Sequence, residues 1–149
     1  MPGRAKICII DGQGGGIGAT LIKSIQSHYR DQVEILALGT NAIATAQMMK
    51  AGANRGASGE NAIVCTAARV DLIVGPVAIT WANAMLGEVT PRMAEAITSS
   101  RTPKLLLPLS QENVTLVGLT SEPLPHMVQQ MVETTIRERL AAFGGRECF

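Results

Sequence analysis

The chain has 149 residues, of which 46% are apolar, and a formal net charge of +1 at pH 7, which suits one compact domain with a sizeable core and is slightly short for two. A charge this close to zero, without a long Lys or Arg run, gives no electrostatic footprint for DNA, RNA or an anionic membrane. Aromatic residues make up only 3%, so no stacking platform for single-stranded nucleic acid is expected either. A small molecule or another protein is left as the partner.

The sequence carries no targeting or metal-binding pattern. Residues 1–4 are a short polar start followed at once by an apolar run, which is unlike a signal or transit peptide. The most apolar stretch, residues 71–86, is interrupted by Gly75-Pro76 and Asn83, which argues against a membrane span. The 3 cysteines are widely spaced and form no CxxC pair, so neither a disulfide framework nor a metal site is indicated. We therefore expect a cytoplasmic protein with reduced thiols.

The first half of the chain alternates short apolar runs with helical patterns. The runs predict strands at Lys6–Asp11, Val33–Leu38 and Asp71–Val74. Apolar residues at helical spacing predict helices at Ile17–Tyr29 and Asn41–Ala51, and a short third one that Ser58 caps and that continues to Ala68. Residues 53–60 are polar and glycine-bearing, and this composition predicts a loop.

The second half begins with a segment, Val77–Leu86, whose composition predicts a helix that is apolar nearly all round. Its small residues would allow close approach, so we expect a homodimer that forms through this helix. Thr90-Pro91 then supplies a cap and a first-turn proline for a helix over Arg92–Ser99.

A fourth strand is predicted at Lys104–Leu109, with Pro108 at its end or on a sheet edge. "SQEN", residues 110–113, is typical of a turn. Because four residues cannot hold a parallel crossover, Val114–Leu119 is predicted to return as an antiparallel edge strand. A last amphipathic helix is predicted over Pro125–Phe143.

Strands that are apolar on both faces and alternate with helices predict an α/β fold: a Rossmann-like, doubly wound three-layer sandwich whose sheet is mostly parallel. The whole chain, residues 1–149, is interpreted as one such domain with its core at about residues 6–143. An all-helical bundle would need the β-branched runs to be helical, which their length and glycine stops disfavour.

Five glycines fall within the seven residues 12–18, between the first predicted strand and helix. In a doubly wound sheet this turn lies at the ligand crevice, where bare amides and the positive helix end suit a phosphate or carboxylate. The alternative is that the glycines only let the first helix pack closely, but each costs roughly 0.5–1 kcal/mol relative to alanine. We therefore predict ligand binding at Gly12–Gly18.

The order of Gly12, Gly16 and Gly18, with apolar Ile17 between the last two, resembles the cofactor-binding turn of the short-chain dehydrogenase/reductases. The resemblance implies NAD(P) or another nucleotide as ligand. The Tyr-x-x-x-Lys pair of that family is absent, since Val33 stands four residues after Tyr29, the chain's sole tyrosine.

The turn is also superficially similar to a P-loop. However, Ala19 stands where the P-loop has its lysine and Gln13 where it has its first glycine. No active P-loop NTPase is expected, and no catalytic residue can be named.

Other groups at predicted strand ends are expected to face the same crevice. Thr40 and Asn41 stand where NAD proteins carry an acidic ribose ligand, and Asn41 equally suits the cap of the helix that it begins. Arg55 is either a second phosphate ligand or simply solvated. Asp11 either shapes the loop or contacts a metal or ribose, and Glu88 is either a structural group or a general base. The predicted binding residues are Asp11, Gly12, Gln13, Gly14, Gly15, Gly16, Ile17, Gly18, Gly39, Thr40, Asn41, Arg55 and Gly75.

From Lys6 to Leu140 the chain carries, in order, "IDGQGGGIG", "ALGTNAIAT", "KAGANRGASGENAI", "MLGEVTPRMAEAI" and "EPLPH". This set resembles a small bacterial family known only as a domain of unknown function. The resemblance implies a bacterial cytoplasmic protein and brings no activity, substrate or catalytic residue. Three functions stay open: a regulatory or accessory nucleotide-binding protein, an enzyme on the same site, and a ligand-free homodimeric interaction module.

Overall fold

A computed structural model describes residues 3–109 and 113–144. The strands are β1 (Ala5–Asp11), β2 (Val33–Gly39), β3 (Arg55–Ser58), β4 (Leu72–Pro76) and β5 (Lys104–Leu107). The helices are α1 (Gly16–Tyr29), α2 (Ala42–Lys50), α3 (Glu60–Thr66), α4 (Pro91–Ser99), α5 (Leu124–Gln130) and α6 (Ile136–Gly144). A π-helical turn at Met131–Thr135 joins α5 to α6, and short 3-10 helices lie at Arg30–Gln32 and Val77–Thr80.

The strands form one parallel sheet in the order β3-β2-β1-β4-β5. The chain first builds outward from β1 to β3 and then crosses to the other side of β1 to add β4 and β5. The connections after β1 and β4 therefore diverge beside β1, which is the switch point of a doubly wound sheet. The predicted Rossmann-like α/β fold is confirmed.

Two hydrophobic cores cover the two faces of the sheet. Along β1, Ile7 and Ile9 pack with α1, α2 and the C-terminal helices, whereas Cys8 and Ile10 pack with α3 and α4. Because successive strand residues point to opposite faces, strands that are apolar throughout must be covered on both sides. The result is the predicted three-layer arrangement with β1 at its centre.

The prediction of an antiparallel edge strand at Val114–Leu119 is wrong. Among the described residues, 113–123 form neither strand nor helix, and Val117 is 95% exposed. The strand propensity of Val, Thr and Leu comes from how well these side chains pack on a half-buried sheet surface. Here the segment does not join a sheet edge, so that this propensity has no effect. Pro108 directly after β5 has no N–H to start a ladder, and Gly118 takes φ +91° in a turn at residues 117–118 instead of extended backbone. Residues 110–112 of the predicted turn lie outside the described part of the chain.

The prediction of a helix at Val77–Leu86 is also wrong. Only a 3-10 helix forms, at Val77–Thr80, and Asn83, Met85 and Leu86 take φ values of 69°, 57° and 57°, which no right-handed helix allows. Ala78, Ile79 and Ala84 of the segment enter the core of their own chain, whereas Leu86 is exposed. The helical dimer surface predicted there is therefore not formed, and homodimerisation remains a prediction without this surface.

Residues 53–60, predicted to be a loop, contain the edge strand β3, which runs parallel to β2. Its four residues, Arg-Gly-Ala-Ser, carry no β-branched or aromatic side chain, so the sequence pattern could not indicate a strand. Gly59 rather than Ser58 caps α3, because the Ser58 hydroxyl is hydrogen-bonded to the Thr45 hydroxyl at 2.7 Å. The predicted cap of α4 is confirmed, since the Thr90 hydroxyl accepts from the Met93 amide.

Candidate functional site

The loops that follow β1, β2 and β4 meet at the carboxyl edge of the sheet. Asp11 and Gly39 are neighbours in register, and the Thr40 amide donates to the Asp11 carbonyl at 3.0 Å. The chain after β4 returns over β1, so that a Cβ placed on Gly12 would lie 2.5 Å from Sδ of Met85 and 3.3 Å from Oε1 of Glu88. The glycine loop, residues 12–18, is thus enclosed on one side and open on the other.

Asp11 holds the inner side of the glycine loop. The residue is 3% exposed, and its two carboxylate oxygens accept from the amides of Gly12 and Gly18, each at 2.8 Å. Burial raises the pKa of Asp11 above its ordinary value, the Gly18 and Gly12 amides oppose that rise, and the charge of Glu88 adds to it. The geometry agrees with the interpretation of Asp11 as the residue that shapes the loop.

Glu88 binds the outer rim of the loop. Its Oε1 atom accepts from the Gln13 amide at 2.9 Å, from the Thr40 hydroxyl at 2.7 Å and from Asn41 Nδ2 at 2.6 Å. Burial alone would raise the pKa of Glu88, but hydrogen bonds from Thr40, Gln13 and Asn41 hold it below the ordinary value. The protein therefore places one of its own carboxylates on a cluster of anion-binding donors.

Three glycines of the loop lie so close to neighbouring atoms that an added Cβ would force a neighbour to move. Gly15 has φ +72°, and a Cβ there would lie 2.8 Å from the Ala44 carbonyl oxygen on α2. A Cβ on Gly18 would lie 2.5 Å from Sδ of Met48, and Gly12 is closed in by Met85 and Thr40. We call Gly12, Gly15 and Gly18 the inner glycines, because the fold itself accounts for them.

Gly14 and Gly16, the outer glycines, have no such reason. Nothing lies within 4 Å of a Cβ on either residue, and neither takes a left-handed φ. Within residues 3–109 and 113–144, no protein acceptor receives a hydrogen bond from either amide. Both glycines line an open cavity of about 150 Å³ at the start of α1, whose first turn carries no acidic residue.

Some of the other predicted binding residues lie at the glycine loop, and others are held in place by the fold. Thr40 and Asn41 lie at the loop, but their side-chain donors are engaged by Glu88. Ile17 lines the cavity and also packs against the core beneath α1. Gly39 and Gly75 lie inside strands, where a Cβ would strike the Thr45 hydroxyl and the Ile10 carbonyl respectively.

The structure does not bring Arg55 to the glycine loop. Arg55 begins β3 beside Leu36, three residues before the carboxyl end of β2, and its guanidinium pairs with Glu34 at 2.7 Å. Tyr29 is not available for chemistry at the loop either, since its buried hydroxyl donates to the Val132 carbonyl.

The segment over the loop, residues 81–89, is the part of the site that the sequence pattern missed. Asn83 and Gly87 favour left-handed backbone and could have indicated an irregular segment. No local signal predicts φ +57° at both Met85 and Leu86. Backbone strain of this kind persists only where surrounding contacts enforce it, and here it delivers Met85 and Glu88 to the loop.

Fold and crevice together define an α/β protein with a Rossmann-like parallel sheet and a glycine loop at its switch point. The chain belongs to the family described as a domain of unknown function (DUF3842), which it matches over residues 6–140. No curated protein matches the sequence. A similar solved structure is the crystal structure of a universal stress protein in complex with cAMP, with 20% identity, a TM-score of 0.40, and coverage of 69% of this chain and 97% of that chain.

Two further properties concern the described residues alone. None of their helices is both long enough and apolar enough to cross a membrane. No group of three or more His, Cys, Asp and Glu residues among them is arranged to hold a metal ion.

Proposed function

We propose that this protein binds a nucleotide or dinucleotide, such as NAD(P), through a phosphate placed against the outer glycines Gly14 and Gly16, in a regulatory or accessory role. The observation that carries the proposal is that these two positions lack side chains although neither packing nor backbone conformation forbids them. Glycine at such positions loses chain entropy for no gain within the fold. Close approach of a ligand to the main chain supplies the missing reason.

The donors for a phosphate are the amides of Gly14 and Gly16 and the positive end of α1. These amides have no protein acceptor among the described residues, and Gly16 is the first residue of a 14-residue helix. A helix start with bare amides attracts an anion through both hydrogen bonds and the helix dipole. The amides of Gly12 and Gly18 take no part, because Asp11 already occupies them.

Glu88 decides how far the ligand extends toward β2. A like charge this close repels a phosphate, so the phosphate lies on the Gly16 side of the loop. A ligand hydroxyl that reaches Thr40 or Asn41 either donates to Glu88 or takes its place on their donors. Glu88 thus competes with the ligand for the hydrogen-bond donors of Thr40 and Asn41.

The cavity of about 150 Å³ suits a phosphate group and not a whole nucleotide. The remainder of the ligand lies over the neighbouring strand ends, where two exposed apolar side chains are available. Ile43 is 68% exposed and precedes Ala44, which touches Gly15, whereas Leu86 is 94% exposed and follows Met85, which touches Gly12. Either offers an apolar surface for a base or a nicotinamide ring.

The test is a thermal-shift panel of NAD, NADP, FAD, FMN, ATP, GTP and S-adenosylmethionine on the wild-type protein and on Gly16→Val. A ligand at a hundred times its dissociation constant adds about 2.7 kcal/mol of stability, and the shift is expected to vanish in Gly16→Val because the added side chain fills the phosphate position. Ala141→Val is the matched control, since it adds bulk at an exposed position of α6. No shift with any compound, or a shift that survives in Gly16→Val, would overturn the proposal.

A further inference from the structure

A second and larger cavity, of about 390 Å³, opens on the sheet face that carries α3. Its floor consists of Leu36 and Leu38 of β2 and Ala57 of β3, and its wall includes Cys65 and Thr66 at the end of α3. It shares no lining residue with the cavity at the glycine loop. The two cavities are therefore separate features of the molecule.

The cavity exists because one side of the sheet is incompletely covered. The helix α3 has only 7 residues and ends at Thr66, and every residue of the edge strand β3 is exposed. A sheet with apolar residues on both faces is normally covered by helices along its whole width. Here the gap beside α3 exposes Ala57 and leaves Leu36 and Leu38, which are 9% and 3% exposed, at the bottom of the cavity.

Three cationic side chains surround that floor: Lys6, Arg55 and Arg69. Arg55 pairs with Glu34, whereas Lys6 and Arg69 make no ion pair with any residue that the structure describes. Of the nearby carboxylates, Glu34 is held by Arg55, and Asp71 accepts from the Lys6 backbone amide at 2.8 Å. Neither carboxylate lines the cavity, so its rim is positively charged.

We propose that this cavity is a second ligand site, which takes a small organic anion with an apolar body. The anionic group, a carboxylate, sulfonate or phosphate, is held by Lys6 and Arg69 at the rim. The apolar body lies on Leu36, Leu38 and Ala57. An apolar floor with a few placed charges is the usual composition of a small-molecule site, and guanidinium groups bind such oxyanions by charge-assisted hydrogen bonds.

Cys65 provides a reporter within the cavity. Cys65 is exposed, whereas Cys8 is buried and burial raises the pKa of its thiol to about 12, which leaves it unreactive. In a Cys148→Ser variant, alkylation by iodoacetamide therefore reports on Cys65. The probe is 8-anilinonaphthalene-1-sulfonate, and the matched uncharged probe is N-phenyl-1-naphthylamine, which has the same ring system without the sulfonate.

The sulfonate probe is expected to slow Cys65 alkylation. The uncharged probe is expected to protect Cys65 with an apparent affinity at least about tenfold lower, because it lacks one charged contact. Arg69→Gln is expected to weaken the sulfonate probe by about tenfold, while Arg101→Gln, at an exposed site outside the cavity, leaves it unchanged. Gly16→Val also leaves it unchanged, which separates this site from the glycine loop. Fluorescence enhancement without protection of Cys65, or equal affinity in Arg69→Gln, would overturn the proposal.

Discussion

The inner and outer glycines of one loop differ in what requires them. Gly12, Gly15 and Gly18 are enclosed by Met85, Ala44 and Met48, and a side chain at any of them would displace a neighbour. Gly14 and Gly16 face open space with ordinary backbone angles and unengaged amides, as far as the described residues show. A glycine-rich stretch can therefore contain glycines that packing demands and glycines that it does not. Only the second kind points to a ligand.

The inner glycines are tested by the substitution that we expect to cost the most stability. Gly15→Ala combines a left-handed φ with a contact to the α2 backbone, and we expect it to lower the free energy of unfolding by about 3 kcal/mol. Urea denaturation measures the change, with Gly14→Ala as the matched neighbouring control. Equal stability of the two variants would remove the distinction between inner and outer glycines.

Asp11 holds the amides of two inner glycines, Gly12 and Gly18, in place. Asp11→Ala leaves the Gly12 and Gly18 amides without an acceptor in a buried position, and we expect a loss of about 2 kcal/mol. Asp11→Asn retains one acceptor oxygen and should lose less. Asp31→Ala, in the exposed 3-10 helix after α1, is the control and should stay within about 0.5 kcal/mol of wild type. Wild-type stability of Asp11→Ala in denaturant titrations would show that the loop does not depend on this carboxylate.

The contribution of Glu88 to the outer rim of the loop can be measured from the pH dependence of stability. Glu88→Gln weakens three hydrogen bonds to one oxygen, and we expect a loss of about 1 kcal/mol at neutral pH. Since the pKa of Glu88 is lowered in the folded state from 4.5, its contribution is present above that pH and is lost as the pH falls through the lower folded value.

The free energies of unfolding of wild type and Glu88→Gln should therefore converge below pH 4.5. Because the charge of Glu88 also raises the pKa of Asp11, the difference between the two proteins reports the ionisation of Glu88 together with its coupling to Asp11. A constant difference down to strong acid would mean that the Glu88 charge contributes nothing to the rim.

The smallest expected change in stability is at the outer glycines. Gly16→Ala meets no neighbour and lies at the first position of α1, so it should leave stability unchanged or raise it by up to about 1 kcal/mol. Thermal melts of Gly16→Ala and Gly14→Ala measure this. A clear loss of stability in both would assign the outer glycines to the fold and leave the proposed site without support.

The sequence predicted most of the α/β architecture because its buried strands are short apolar runs between helical patterns. It missed β3, whose Arg-Gly-Ala-Ser sequence joins the sheet only through its backbone and its place beside β2. The sequence pattern also predicted a strand at Val114–Leu119. This segment has strand-forming side chains but does not pair with an edge of the sheet. In both cases the secondary structure depends on where the segment lies relative to the sheet, which the sequence of one segment does not encode.

The glycine loop was located from sequence because strand, glycines and helix are adjacent in the chain. The partner that closes it, residues 81–89, lies some seventy residues away and takes backbone angles that Met85 and Leu86 rarely adopt. Arg55 shows the opposite error, since its loop became a strand and its side chain turned to Glu34. The division into inner and outer glycines needed three-dimensional neighbours and could not be read from spacing.

The proposed function rests on one claim: the unengaged amides of Gly14 and Gly16 receive the ligand, while those of Gly12 and Gly18 remain on Asp11. Proton–nitrogen correlation spectra of the labelled protein, titrated with the panel compound that stabilises it most, resolve these four amides individually. We expect large shifts at Gly14 and Gly16 and small ones at Gly12 and Gly18. Shifts centred on Gly12 and Gly18, or confined to residues outside the loop, would contradict the claim.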